Sequence, residues 1–201
     1  MTTAGAEGSS AGSAGPGEDG ATPIGRSTRY LHWGSALLVA SAFALAWTFS
    51  AMGPGEISSR LVGIHRSVGL TILLLAIVRV TSRLVVPLPP LPRSTKAWER
   101  RLAWTVQAAL YVCLLAMPVV GWFGSGADAD TVSFLGVLTL PDLTGPDQDM
   151  ADRAFRLHEV IGYAILALTA FHVAGALRHH FVKRDGVLTR MLTGRVTGGA
   201  A

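Results

Sequence analysis

Four long stretches of apolar residues, separated by polar connections, dominate the sequence. They span about residues 30–50, 62–85, 102–123 and 152–180. Each stretch matches the ~20 residues that a helix needs to cross the hydrocarbon core of a bilayer. The pattern predicts an all-α fold, a transmembrane four-helix bundle, that occupies residues 26–192.

The remaining segments lack such apolar runs. Residues 1–25 are rich in Ala, Gly, Ser and Thr and contain no Lys or Arg, which predicts a disordered N-terminal tail without a secretory signal. Residues 193–201 form a short C-terminal tail. Between the second and third spans, PLPPLP predicts a stiff extended spacer. The connection over residues 124–149 is long enough to fold over the opposite end of the bundle.

Basic residues are concentrated on one side of the predicted bundle. Of the 17 Lys and Arg residues, 13 flank the N-terminus, the second connection and the C-terminus. The other side has four arginines and a cluster of aspartates, which are Asp128, Asp130, Asp142, Asp147, Asp149 and Asp152. Because cytoplasmic connections carry an excess of Lys and Arg, we expect both termini to be cytoplasmic. The end of the bundle that carries both termini is called inner below, and the opposite end outer.

The composition agrees with a membrane protein and narrows the possible chemistry. Half of the residues are hydrophobic, 15% are charged and the mean hydropathy is +0.42. Since globular chains are nearer ~25% charged, a soluble monomer is excluded. The single Cys113 excludes a disulfide framework, a cysteine-rich zinc site, a cysteine-ligated iron–sulfur cluster and a c-type haem attachment. The net charge of +4 lies mainly at the inner side, so we expect membrane lipid and no nucleic acid as a partner.

All six histidines lie within or at the edges of the predicted spans, where ionisable side chains are costly and often functional. In the fourth span, His158, His172 and His179 are separated by 14 and 7 residues. They therefore share one helix face, with His158 ~21 Å from His172 along the axis. In the second span, His65 is level with His158, and Arg79, 14 residues further on, is level with His172.

These heights predict two pairs of facing imidazoles between the helices. His65 and His158 form an outer pair, and His32 forms an inner pair with either His172 or His179, two choices that helix geometry leaves open. Two facing imidazoles can hold the iron of one flat cofactor, and ligation by both favours electron transfer over oxygen binding. The alternatives are histidines that only hydrogen-bond between helices, or a haem-free metal or proton transporter.

Six motifs, in their order along the chain, resemble the bacterial cytochrome b561 family of four-helix membrane cytochromes. They are RYLHW, GIHRSVG, AMPVVGW, SFLGVLTLP, LHEVIGYAILALTAFHVAGALRHHF and RDGVLTRML, all within residues 26–192. The resemblance implies two haem b groups, with His32 and His172 as iron ligands of the inner haem and His65 and His158 as those of the outer haem. It also implies location in the bacterial inner membrane.

The same resemblance implies a function. Members of this family exchange electrons with membrane ubiquinone, and in some of them the outer-side donor is superoxide. His179 matches a histidine near the quinone region of those members. We therefore predict an oxidoreductase of the superoxide:ubiquinone type, with His179 as its catalytic residue. The alternative is a cytochrome subunit of a larger dehydrogenase or hydrogenase, docked on a redox partner protein.

Two arginines are candidates for binding haem propionates. Arg79 lies at the height of the inner haem, and Arg66 directly follows an outer ligand. Each also has a simpler interpretation, in which Arg79 extends to the cytoplasmic surface with Arg83, and Arg66 is exposed at the interface. Since the outer connection is acidic on balance, its arginines would attract an anion such as superoxide only locally.

Overall fold

The computed structural model of the chain describes residues 24–85 and 95–194. It contains four long helices, which are α1 (Arg26–Met52), α2 (Glu56–Val85), α3 (Ala97–Ala127) and α4 (Gln148–Arg178). Each of the four is long and apolar enough to cross a membrane. The predicted transmembrane four-helix bundle is therefore confirmed. Most of the predicted N-terminal tail, the PLPPLP spacer and residues 195–201 lie outside the described residues.

The helices are longer than the predicted apolar spans, because hydropathy marks only the part that lies in hydrocarbon. Polar residues extend the helices beyond the apolar spans, and some of their side chains accept hydrogen bonds from the first backbone N–H groups of a helix. At the start of α3, Glu99 accepts a hydrogen bond from the backbone N–H of Lys96 at 3.0 Å. At the start of α4, the Asp147 carboxylate accepts one from the backbone N–H of Met150 at 3.0 Å.

The bundle is built from two helical hairpins. Helix α1 packs chiefly on α2 and α3 on α4, and contacts between α2 and α3 join the two pairs. Few side chains are fully buried, and those on α2 and α4 include Ala76, Ala151, Ala154 and Ile165. Large apolar side chains instead face outward from all four helices, among them Leu37, Leu74, Val112 and Phe171. This arrangement suits a lipid surround, where every backbone polar group is satisfied within its helix.

The outer connection folds back onto the bundle around a short hairpin. Its strands, β1 (Ser133–Phe134) and β2 (Leu138–Thr139), pair antiparallel through a turn with positive φ at Leu135 and Gly136. The Leu135 N–H donates a hydrogen bond to the Ser67 hydroxyl of α2 at 3.0 Å. The sequence predicted that this connection folds over the outer end, but it did not predict the strands.

The inner end of the bundle carries two further elements that the sequence pattern did not predict. Helix α4 continues into a π-helical turn, His179–Lys183. The chain then reverses through left-handed conformations at Arg184 and Gly186 and enters α5 (Val187–Thr193). The Trp33 indole N–H donates to the carbonyl of Met191 at 3.2 Å, so α5 lies against the beginning of α1.

Candidate functional site

Helices α2 and α4 bring the predicted outer pair of histidines together. The rings of His65 and His158 face each other with centroids 6.2 Å apart. The Nδ1 atom of His65 lies 3.0 Å from the carbonyl oxygen of Ala42, and that of His158 lies 3.0 Å from the carbonyl oxygen of Met117. Since a carbonyl can only accept, both Nδ1 atoms carry the proton. The Nε2 lone pairs are thereby left free for a metal, the usual tautomer of a ligating histidine.

Helices α1 and α4 bring the inner pair together. The His32 and His172 ring centroids are 6.0 Å apart. An Arg79 guanidinium nitrogen lies 3.2 Å from Nδ1 of His32, and the same guanidinium stacks 5.4 Å from the centre of the Tyr111 ring. Of the two partners that helix geometry left open for His32, the structure places His172 beside it. His179 is engaged elsewhere, by Asp185.

The spacing within each pair fits one metal ion between two imidazoles. Metal–nitrogen bonds of ~2 Å, as in histidine metal sites, place the two ring centroids ~6 Å apart. Among the described residues, no group of three or more His, Cys, Asp or Glu side chains could hold a metal ion. A metal at either pair thus receives two ligands from this part of the chain. A haem, which supplies four equatorial nitrogens itself and takes two axial ligands, matches that number.

A cavity of about 720 Å³ adjoins the outer pair. Its walls are mostly apolar, come from all four helices, and include both rings of the outer pair. The volume lies in the range of small-molecule and cofactor sites, ~300–1,000 Å³. One wall depends on a glycine, because a Cβ at Gly121 would lie 3.0 Å from two atoms of the His158 ring. The outer level therefore has both the ligand geometry and the room for a macrocycle.

In the part of the chain that the structure describes, four arginines at the inner end lack an acidic partner. The Nε atoms of four arginines are buried and have no hydrogen-bond partner among the described residues, and these are Arg29, Arg79, Arg83 and Arg190. No ion pair between any of the four and an acidic side chain occurs in residues 24–85 and 95–194. Arg190 is buried and the other three are half-buried, and a cation withdrawn from water is unfavourable without an anionic partner. The inner level thus has the charge to receive carboxylates, such as the propionates of a haem.

At the outer end, Arg66 already has an acidic partner. Its guanidinium lies 2.5 Å from a carboxylate oxygen of Asp130, and the side chain is 19% exposed. Arg66 also lines the cavity beside the outer histidines. Arg66 therefore links the outer connection to the cavity wall, and its contact with a haem propionate stays a prediction.

His179 lies apart from both histidine pairs, buried in the π-helical turn. Its Nδ1 is 2.5 Å from a carboxylate oxygen of Asp185. His180, the next residue, is exposed and contacts only the Phe181 ring among the aromatic side chains described. Neither Asp185 nor Arg190 was predicted from the sequence to have a role at the site. The available signal was RDGVLTRML, the last family-like motif, which contains both.

Comparisons with known proteins agree with this geometry. The profile of the family described as prokaryotic cytochrome b561 matches residues 24–194. The chain is 32% identical to "Cytochrome b561 homolog 2" of Escherichia coli (strain K12) over 163 residues, 80% of this chain and 86% of that protein. It is 29% identical to "Cytochrome b561 homolog 1" of the same strain over 177 residues, 83% of this chain and 94% of that one.

A further relative carries a more specific name. The chain is 26% identical to the "Probable superoxide oxidase CybB" of Yersinia pestis over 165 residues, 81% of this chain and 91% of that protein. The profile match over most of the chain and the relative above 30% identity together show which family the chain belongs to. The chain belongs to the prokaryotic cytochrome b561 family of haem b-binding, electron-transferring membrane proteins.

Proposed function

We propose that the chain is a dihaem cytochrome that transfers electrons across the inner membrane, from an outer-side donor to ubiquinone. The observation that carries the proposal is the presence of two histidine pairs with ring centroids 6.0 and 6.2 Å apart, one near each end of the bundle. Bound haem b supplies a one-electron redox centre. The outer haem would be held by His65 and His158, and the inner haem by His32 and His172.

The hydrogen bonds around the histidines support these roles at the outer level directly. Backbone carbonyls of neighbouring helices hold the Nδ1 protons of His65 and His158, which leaves the Nε2 lone pairs free to bind a metal. At the inner level, Arg79 donates to Nδ1 of His32. When Nε2 of His32 binds a metal, Nδ1 carries the proton. The Arg79 guanidinium then has to turn to an anionic acceptor, and a haem propionate is one.

The direction of transfer rests on the charge distribution. The excess of Lys and Arg at the inner side supports a bilayer orientation with both termini cytoplasmic. The donor would then arrive at the outer end, and the name of the Yersinia pestis relative makes superoxide the donor to test first. Among the described residues that line the outer cavity, Arg66 is the one Lys or Arg, so its positive charge would attract a small anion there. His179, at the inner end, would serve the quinone.

The first experiment is a reduced-minus-oxidised absorbance spectrum of the purified protein, with haem quantification. We expect about two haems per chain. His65→Ala or His158→Ala should remove the outer signal, and His32→Ala or His172→Ala the inner one. Each substitution would take away one of the two histidines that would hold a haem and would leave the other pair intact.

The matched control is His180→Ala, which removes an exposed histidine that belongs to neither pair and should leave both signals unchanged. Equal loss of both signals from every variant would contradict the pairing. Colourless, correctly assembled protein with histidine-dependent metal uptake would indicate a transporter instead. A stable copurified partner, with no turnover by the isolated chain, would indicate a subunit of a larger complex.

The quinone half of the proposal has a separate test. His179→Ala should keep both haem signals and slow the reduction of ubiquinone. The donor is tested by mixing oxidised protein with a superoxide-generating system, which should reduce the haems rapidly. Haems that stay oxidised would show that superoxide is not the donor, and they would leave the dihaem proposal unaffected.

A further inference from the structure

The π-helical turn at the inner end holds a buried histidine and a buried carboxylate in contact. The side chains of His179 and Asp185 are only 11% and 8% exposed, and Nδ1 of His179 lies 2.5 Å from Oδ2 of Asp185. The left-handed conformation of Arg184 reverses the chain between them. The backbone N–H of Val187 donates to the other carboxylate oxygen, Oδ1, at 3.3 Å. The turn thus fixes both carboxylate oxygens of Asp185.

Neither neighbouring cation competes with His179 for the carboxylate of Asp185. The nearby cations Arg178 and Lys183 both bind Glu99 of α3 instead. Among the described residues, the only ion-pair partner of Asp185 is His179. Helices α4 and α5 pack on the π-helical turn. The charged residue that α4 contributes beside the turn is Arg178, and the one in α5 is Arg190. A π-turn is a costly local geometry that often marks a functional position.

We propose that Asp185 is a positioning residue that sets His179 to donate a proton to the quinone, an inference that rests on the proposed function. Reduction of a quinone to a quinol adds two electrons and two protons. The two electrons come one at a time from the outer-side donor, and two superoxide anions that supply them leave as two O₂ molecules. One proton comes from Nε2 of His179, which is then re-protonated from the aqueous phase, and the second proton comes from water.

The role of Asp185 follows from its contact with Nδ1. A carboxylate at 2.5 Å keeps a proton on Nδ1 in both charge states of the ring, so that Nε2 is the atom that gains and loses the mobile proton. The same logic of an acid that orients a proton-transferring histidine operates in hydrolytic triads.

Asp185→Asn is the informative substitution because the amide has nearly the shape of the carboxylate. Its oxygen can still accept from the Val187 N–H, while its NH₂ group faces Nδ1 of His179. Nδ1 then accepts a hydrogen bond, the ring is held neutral with its proton on Nε2, and the imidazolium loses its counter-charge. The matched control is Glu99→Gln, which weakens the contacts of the flanking Arg178 and Lys183 but leaves His179 and Asp185 in place.

The experiment measures steady-state reduction of ubiquinone-1 by the full-length protein in detergent or vesicles, with superoxide as donor. In Asp185→Asn, we expect both haem signals to remain and KM for ubiquinone-1 to stay within ~2-fold. We expect kcat to fall ~100-fold, the usual scale for loss of a general acid, and the solvent deuterium isotope effect on kcat to increase. Asp185→Glu, which retains the charge, should recover part of the rate.

A second variant protects the test against a failure of the Asn protein to assemble. His179→Gln should lose kcat to a similar extent, and the double variant should lose no more than either single one, because the two residues act as a unit. A kcat within ~2-fold of wild type in Asp185→Asn or His179→Gln would overturn the inference, as would an equal loss in Glu99→Gln. Wild-type protein that reduces no quinone at all would instead overturn the proposed function.

Discussion

Gly121→Ala is a minimal change that should disturb the outer haem site while sparing the inner one. The added Cβ would lie 3.0 Å from both Cε1 and Nδ1 of the His158 ring. Ordinary carbon contacts are ~3.5–4.0 Å, so the ring has to move by a few tenths of an ångström. That movement stretches the hydrogen bond between Nδ1 of His158 and the Met117 carbonyl, now 3.0 Å, and turns Nε2 away from its partner across the cavity.

The expected magnitude follows from the hydrogen bond and the ligand geometry. A neutral hydrogen bond contributes ~1 kcal/mol net, and disturbing the group that orients a ligating histidine costs ~10–100-fold in metal affinity. The outer haem should therefore bind ~1.4–2.7 kcal/mol more weakly. The fold itself should not suffer, since replacing Gly by Ala within a helix is favourable by up to ~1 kcal/mol.

The assay is a redox titration of the purified variant with haem quantification. We expect a substoichiometric outer haem or a shifted outer midpoint potential, and an unchanged inner signal. Gly63→Ala is the matched control, because Gly63 is two residues from His65 and has open space around its Cβ direction. A Gly121→Ala protein with wild-type amounts of both haems at wild-type potentials would refute the reasoning.

Two further predictions concern charged contacts at opposite ends of the bundle. Glu99→Gln should lower the thermal unfolding midpoint, because it removes the negative charge that pairs with Lys183 and so weakens a buried contact. The same change in the exposed residue Glu56 should not alter that midpoint measurably, and equal effects would contradict this account. Asp130→Asn removes the carboxylate that pairs with Arg66. One unit charge ~10 Å from an approaching anion is worth ~0.4 kcal/mol in water. Haem reduction by superoxide should therefore speed up ~2-fold at low salt, and this gain should shrink as salt is added. An unchanged low-salt rate would argue against superoxide as the donor at this surface.

The separation of the two levels along the bundle was predictable from spacing alone. The 14 residues between His158 and His172 fix their height difference, because the rise per residue of a helix is constant. The partner of His32 was not predictable in this way. Its choice between His172 and His179 depends on where α4 ends its regular winding, and the π-turn that removes His179 from the helix face has no periodic signature.

The environment of the arginines was also beyond the sequence. Arg66 and Arg79 could each be placed at the correct end of the bundle, but their contacts involve residues far away along the chain. Asp130 reaches Arg66 only because the outer connection folds back onto α2. Arg79 meets His32 and Tyr111 only because α1, α2 and α3 converge at the inner end.

The sequence by itself determined that four apolar helices cross a bilayer, because hydropathy and helix length are local properties of consecutive residues. It also determined the heights at which imidazoles recur, since these follow from residue number within each helix. Only the tertiary structure decided which rings face each other, which nitrogen of each outer histidine is left free, and that Asp185 closes onto His179. Those outcomes depend on how the helices rotate and cap against one another, and such contacts between distant residues leave no periodic trace in the chain.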